Sequence, residues 1–246
     1  ITDILLTHAH GDHLGEAIEI AREKDMVDLK YIGHSAFEFK KEDKAVLVDP
    51  LVSTNEKFNW HEEPITDILL THAHGDHLGE AIEIAREKDI EITAVFELAN
   101  YCKAQGVKVK PVGLGSWINY SWGRAVFLPA FHSSSLPDGS YGGNAASILF
   151  DIDGVRIYHA GDTCLSSEMK TIKELYAPQI ALLPIGGNYT MDVEHAAMAA
   201  KWLGVRTVIP MHYNTYPEIQ ADLQRFANLI AYGNTACQIL NPAEIK

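Results

Sequence analysis

The segment Thr71-His72-Ala73-His74-Gly75-Asp76-His77 packs three imidazoles and a carboxylate into one short stretch. On an extended backbone, side chains two apart point the same way, so His72 and His74 share a face. Asp76 and His77 follow in a turn and can close on the same space from the other side. Crowding such groups is costly without a cation among them. An imidazole ligates only when neutral, and a buried carboxylate needs a compensating charge. The chemistry this spacing supports is metal binding. The bland alternative is a solvated histidine-rich turn, and the flanks oppose it: a buried strand precedes the segment and a patterned helix follows. Three further candidates stand at strand ends. His132 follows the strand 126–131, Asp162 follows Ile157-Tyr158-His159-Ala160-Gly161, and His212 follows Val208-Ile209-Pro210-Met211. Each alone reads as a structural residue; together with the cluster they read as one site.

A fold must bring those strand ends together. Residues 30–39 and 44–48 are strand-like and joined by the polar turn Lys41-Glu42-Asp43, which predicts a hairpin. Residues 65–70 form a short apolar run, the mark of a buried strand. Leu78, Ala81, Ile82 and Ala85 fall on one helical face. Residues 90–95 read as a strand, and 97–105 as a helix ended by Gly106. Strands are expected at 107–112, 117–120 and 124–131. Residues 146–152 and 155–159 flank Asp153-Gly154, a two-residue hairpin signal. Then come a strand at 180–184, a helix at 193–203 stopped by Gly204, and a strand at 207–210. Thr215 and Glu218 have capping-box spacing and predict a helix running to about residue 232. No Pro/Ser-rich linker divides the chain, so one α/β domain of sheet and helix layers is expected.

Composition narrows the function. The 246 residues are 47% apolar and 22% charged, which is globular and not disordered. The 3 cysteines, Cys102, Cys164 and Cys237, show no CxxC spacing and point to a reducing, cytoplasmic setting. No apolar run reaches membrane-spanning length and no signal-peptide pattern opens the chain. The net charge of −13 opposes broad binding to nucleic acid or anionic membrane and is compatible with a local basic pocket. Homo-oligomerisation stays open. Residues 1–25 recur letter for letter as residues 65–89. Evolved repeats drift and come in longer arrays. With Ile1 first and Met26 opening a credible start, residues 1–25 read as an artificial duplicate and 26–246 as the domain. The copy at 65–89 has natural flanks on both sides and is assigned the native position.

His72-Ala73-His74-Gly75-Asp76-His77 matches the H-x-H-x-D-H motif of the metallo-β-lactamase superfamily. Asp49 (in Leu47-Val48-Asp49-Pro50), His132, Asp162 (in Gly161-Asp162-Thr163) and His212 (in Pro210-Met211-His212-Tyr213-Asn214) follow in that superfamily's order. Gly33-His34-Ser35, Pro184-Ile185-Gly186-Gly187 with Tyr189-Thr190-Met191, and the run ending at Thr215 resemble a branch of small prokaryotic metal-dependent hydrolases. That branch is related to L-ascorbate-6-phosphate lactonase. The resemblance spans residue 26 to about 216.

It implies a four-layer αββα sandwich with the site along one edge. His72, His74 and His132 would hold one divalent ion, Asp76, His77 and His212 a second, and Asp162 would bridge them. Zinc suits these ligands best, and manganese or iron would fit. Asp49 would orient a ligand histidine through a hydrogen bond. The implied enzyme is a hydrolase in which two ions turn a shared water into hydroxide. That hydroxide would attack a small ester, lactone, thioester or phosphodiester. Asp76 and Asp162 would be the carboxylates on which catalysis depends. His34 would stand behind the ligands or face the substrate. Tyr141-Gly142-Gly143-Asn144 would shape the pocket. Asn188 is either a substrate donor or a turn residue, and His195 has a weaker claim on the site. His159 reads as packed, His61 as exposed loop, and Cys164 as a small side chain rather than a nucleophile. Two other readings keep the fold. One is a nuclease similar to the tRNA 3′-processing enzymes, opposed by the acidic charge and the lack of a basic arm. The other is a non-catalytic metal or ligand sensor, opposed by the complete ligand set. A redox di-iron protein would need an added flavin domain.

Overall fold

The apolar runs and alternating segments fold into two seven-stranded sheets. The computed structural model describes residues 18–22, 25–231 and 233–242. Residues 1–17, with the duplicate's His8, His10 and His13, lie outside them, as does residue 232. The first sheet runs in chain order: β1 (Ile18–Arg22), β2 (Asp25–Gly33), β3 (Ala36–Lys41), β4 (Lys44–Val48), β5 (Ile65–Leu69), β6 (Glu91–Val95) and β7 (Lys108–Val112). β1 to β4 pair antiparallel, and β4 to β7 pair parallel. The second sheet contains β8 (Trp117–Tyr120), β9 (Gly123–Pro129), β10 (Ala146–Ile152), β11 (Val155–His159), β12 (Ile180–Pro184), β13 (Thr207–Met211) and β14 (Ala236–Cys237). It changes from antiparallel to parallel pairing at β11.

The sheets meet face to face, with Phe39 of β3 against Phe150 of β10 at 4.7 Å between ring centroids. Helices cover the outer faces, giving the four-layer αββα sandwich. These are α1 (Gly75–Leu78), α2 (Ala81–Lys88), α3 (Phe96–Ala104), α4 (Glu168–Tyr176), α5 (Val193–Leu203) and α6 (Leu223–Ala231). α2 and α3 lie on the first sheet, and α5 lies on β12 of the second. Because both faces are covered, every residue of β10 and β12 is buried, Ser147 and Asp151 of β10 included. α5 shows how local signals set an element. The Asp192 carboxylate accepts from His195 N–H at 2.8 Å to cap its start. Val193, Ala196, Ala200 and Leu203 bury one face, and Gly204 ends it at φ +64°.

Three expectations need correction, and one helix had none. The strand expected at 30–39 is two antiparallel strands broken at Gly33, His34 and Ser35. Gly33 at φ +150° and His34 at φ +54° turn the chain there. The helix after the histidine cluster is two pieces, because Gly79 at φ +44° separates α1 from α2. A Cβ at Gly79 would lie 2.4 Å from the Pro50 carbonyl oxygen, so only glycine lets the Asp49-Pro50 loop come this close. The helix expected from Thr215 is a short 3-10 turn, Pro217–Ile219, followed by α6. Asp222 supplies the second start by accepting from Arg225 N–H. α4 was not foreseen; it buries only Met169 and Ile172, too little pattern to read in nine residues.

The duplicated letters give a direct test of context. Ile-Glu-Ile-Ala-Arg is strand β1 at 18–22 and lies within helix α2 at 82–86. The pentapeptide satisfies both a period of two and a helical stripe, so its neighbours decide.

Candidate metal centre

All the segments that carry the candidate ligands emerge at one edge of the sandwich. His34 lies in the turn between β2 and β3, and Asp49 just after β4. The cluster 72–77 follows β5, His132 follows β9, Asp162 follows β11, and His212 follows β13. The structure brings eight side chains into two neighbouring quartets. His72, His74, His132 and Asp162 place one ligand atom each within 4.8 Å of one another. His34, Asp76, His77 and His212 do the same.

Asp162 stands between the quartets. Its Oδ1 is 3.2 Å from His77 Nε2, and its Oδ2 is 3.2 Å from His212 Nε2 and 3.4 Å from His132 Nε2. Asp76 Oδ2 reaches His34 Nε2 at 3.1 Å and His212 Nε2 at 3.5 Å. His34 therefore sits within the second quartet, not at its margin.

Behind this layer, hydrogen bonds fix which ring nitrogen faces inward. Asp49 is fully buried. Its Oδ1 accepts from Thr71 N–H at 2.8 Å. Its Oδ2 accepts from the Thr71 hydroxyl at 2.6 Å and from His77 Nδ1–H at 2.7 Å. With its proton committed to Asp49, Thr71 Oγ1 accepts from His72 Nδ1–H at 3.0 Å. One carboxylate thus turns the Nε2 lone pairs of two histidines toward the site. Thr215 Oγ1, 3.0 Å from His34 Nδ1, does the same for His34. Thr71 and Thr215 escaped sequence reasoning. For Thr71 the available signal was its place directly before the motif.

The backbone is strained where it presents these groups. His34, Asp49 and His212 all have left-handed φ values of 54°, 46° and 54°. His212 N–H donates to the His34 carbonyl at 2.7 Å, tying two of these residues together.

The electrostatics are those of a site built around positive charge. Burial would raise the Asp162 carboxyl, but His77 and His212 beside it hold it well below the usual carboxylate range. Burial likewise acts against the Asp76 carboxylate, and His212 and His34 overcome it. Burial and the neighbouring His77 push His72 well below the ordinary histidine value. His77 Nε2, Asp162 Oδ1 and both His212 ring nitrogens are buried without a hydrogen bond of normal geometry. Inward-facing lone pairs, ionised carboxylates and unbonded buried nitrogens fit a divalent cation in each quartet.

The remaining candidates lie elsewhere. His159 is fully buried and donates from Nε2 to the Ser35 carbonyl at 2.9 Å. Gly161 N–H donates to its Nδ1, so this histidine pins the His34 turn to the Asp162 loop. His195 points outward beside Asp192, with its side chain 61% exposed. His61 stacks on Trp60 and bonds Glu87 at the surface. Asn188 is an exposed turn residue at φ +53°, and Cys164 is exposed.

Comparison with known proteins agrees with this geometry. The Beta-lactamase superfamily domain matches residues 28–212. A metal-dependent hydrolase of Bacillus cytotoxicus is 42% identical over 205 residues, which is 80% of this chain and 90% of its own. One of Lysinibacillus sphaericus is 42% identical over 224 residues, 89% of this chain and 98% of its own. Among solved structures, a metallo hydrolase of the archaeon Ignicoccus hospitalis superposes with a TM-score of 0.82. It is 34% identical, covering 89% of this chain and 96% of that one.

Proposed function

The chain belongs to the metallo-β-lactamase superfamily and is a metal-dependent hydrolase, and from that premise we propose that its two quartets bind a pair of divalent ions. The pair serves hydrolysis of a small ester, lactone, thioester or phosphodiester. The observation that carries this reading is the place of Asp162, whose carboxylate lies between the quartets in contact with both. His72, His74 and His132 hold one ion; Asp76, His77 and His212, joined by His34, hold the other. Zinc is the metal we favour, and the same donors accept manganese or iron.

When bound, the ions supply a water acidified toward neutrality and a polarised scissile oxygen. The chain's own residues do the rest. Asp49 and Thr71 keep the Nδ1 protons of His77 and His72 turned away from the reaction. Asp162 is almost wholly buried and spans the quartets as a fixed negative charge. The Asp76 side chain is 30% exposed and that of Asp162 3%, so Asp76 is the site carboxylate that solvent can reach.

A thermodynamic signature follows. With no ion in place, Asp162 and Asp49 outweigh burial and raise the His77 imidazole well above the ordinary histidine value, and His212 is pushed up to about 9 against burial by Asp162 and Asp76. Imidazole ligates only when neutral, so loading metal at pH 7 releases protons and affinity falls as pH is lowered. Zinc-binding calorimetry in two buffers of different ionisation enthalpy is expected to give different heats. Equal heats would show that these histidines are already neutral.

The direct test combines metal analysis with a hydrolysis panel. About two ions per chain are expected, with turnover lost on Asp76→Ala and on His77→Ala. A chain that takes up neither zinc nor manganese, or variants that keep full turnover, would refute the reading. We place the protein in the cytoplasm because Cys102, Cys164 and Cys237 are all unpaired. No helix among the described residues is long and apolar enough to cross a membrane. We take residues 1–25 as a duplicate of 65–89, whose His72, His74, Asp76 and His77 stand in the two quartets.

A further inference from the structure

Beside the quartets, at His132, a pocket of about 530 Å³ opens between the loop after β9 and residues 139–145. Among the described residues, His132 apart, its walls hold no ammonium, guanidinium or carboxylate; they include Leu114, Ser133, Ser135, Ser140, Tyr141 and Asn144. The loop that walls it is fixed by close packing. A Cβ at Gly142 would lie 2.3 Å from that of Ala73, so only glycine lets this loop rest on the segment between His72 and His74. Ser134 closes the same joint, its Oγ accepting from Ala73 N–H at 3.2 Å.

Two carboxylates stand beside this pocket. The loop is packed at Gly143 against the Glu97 side chain, and the Asp138 carboxylate is bonded to Ser140. Both disfavour an anionic guest. The surroundings are aromatic instead. Tyr141 is 63% exposed on the pocket wall, and Phe131, beside His132, is 53% exposed. Tyr216 is 42% exposed, with its ring 5.5 Å from that of His34. Phosphoryl and carboxylate groups are recognised by cationic or backbone donors. Hydroxyls and an amide beside the exposed Tyr141 ring suit a neutral carbonyl compound with an apolar substituent.

Resting on the hydrolase reading above, we infer that this pocket receives an uncharged alkyl or aryl group, so that the substrate is a neutral ester or lactone and not a phosphodiester or a phosphorylated sugar.

The test uses the zinc-loaded protein and three probes with one chromophore: p-nitrophenyl butyrate, its anionic counterpart p-nitrophenyl hemisuccinate, and bis(p-nitrophenyl) phosphate. The butyrate is expected to exceed both others in kcat/KM by about tenfold or more. Tyr141→Ala is expected to lower the butyrate value about tenfold, mainly through KM. Asn144→Lys, on an exposed position, is expected to shift the ratio of hemisuccinate to butyrate about tenfold toward the anion. Hemisuccinate or phosphodiester turned over as well as the butyrate would overturn the inference and leave the hydrolase intact. No shift of the ratio with Asn144→Lys would also overturn it. Failure of the loaded protein on all three probes would remove the hydrolase reading itself, and this inference with it.

Discussion

Asp162→Asn is expected to cost hydrolysis at least about 10³-fold, roughly 4 kcal/mol of barrier, and to prevent both ions from being held together. The substitution preserves shape and removes one negative charge at the point where the quartets meet. Asp162 is 2% exposed, so solvent cannot replace what is lost. The new amide group would aim N–H bonds at His nitrogens whose lone pairs are needed for ligation. His77 would retain Asp49, and His212 would retain Asp76, so each quartet keeps part of its charge balance. The expected protein is therefore folded, poor in metal and inert. Metal content by mass spectrometry and kcat/KM on the same preparation check this. Full metal content with undiminished turnover would mean that another group joins the two halves of the site.

Asp49 touches no reacting atom in this account, yet its removal is expected to have the second largest effect. Asp49→Ala deletes one acceptor that serves three buried donors: Thr71 N–H, the Thr71 hydroxyl and His77 Nδ1–H. Stranding them is expected to cost about 3 kcal/mol of stability. Metal affinity should fall about 10–100-fold, as when such outer partners are lost elsewhere. Asp49→Asn separates the two effects. Its carbonyl can still accept from Thr71 N–H, so most of the fold stability is kept. Its amide would donate where the carboxylate accepted, forcing the proton of His77 onto Nε2, the nitrogen needed for metal. Urea denaturation and zinc titration of both variants are the measurements. If Asp49→Asn bound zinc normally, Asp49 would be a purely structural anchor.

Much of this arrangement was legible in the sequence because it is written in local signals. The cluster 72–77 is contiguous, and a two-residue spacing on an extended backbone carries its own geometry. His132, Asp162 and His212 each sit at a strand end, and α/β folds gather strand ends at one edge. Strands β8, β10, β11 and β12 stand where the alternation, the apolar runs and the Asp153-Gly154 turn put them. What was not legible depends on distance along the chain or on strain. The bond between His34 and Thr215 joins residues far apart in sequence. Thr215 had the spacing of a helix cap, but its hydroxyl is engaged by His34, and the helix begins later at Asp222. The break at Gly33 and His34 is invisible to a pattern of apolar residues, since both arms are strand-like. α4 has too few buried positions to show a stripe. The pentapeptide shared by β1 and α2 marks the limit in principle, for no reading of those five letters alone gives two answers.

The left-handed backbone at His34 and His212 has an evolutionary side. Glycine or asparagine would occupy those conformations with less strain than histidine. Only the side chains' work at the site holds histidine there against that preference. A gene released from selection for turnover would gain stability by losing them. Glycine or asparagine at these two positions would then mark a descendant that has kept the sandwich and abandoned its chemistry.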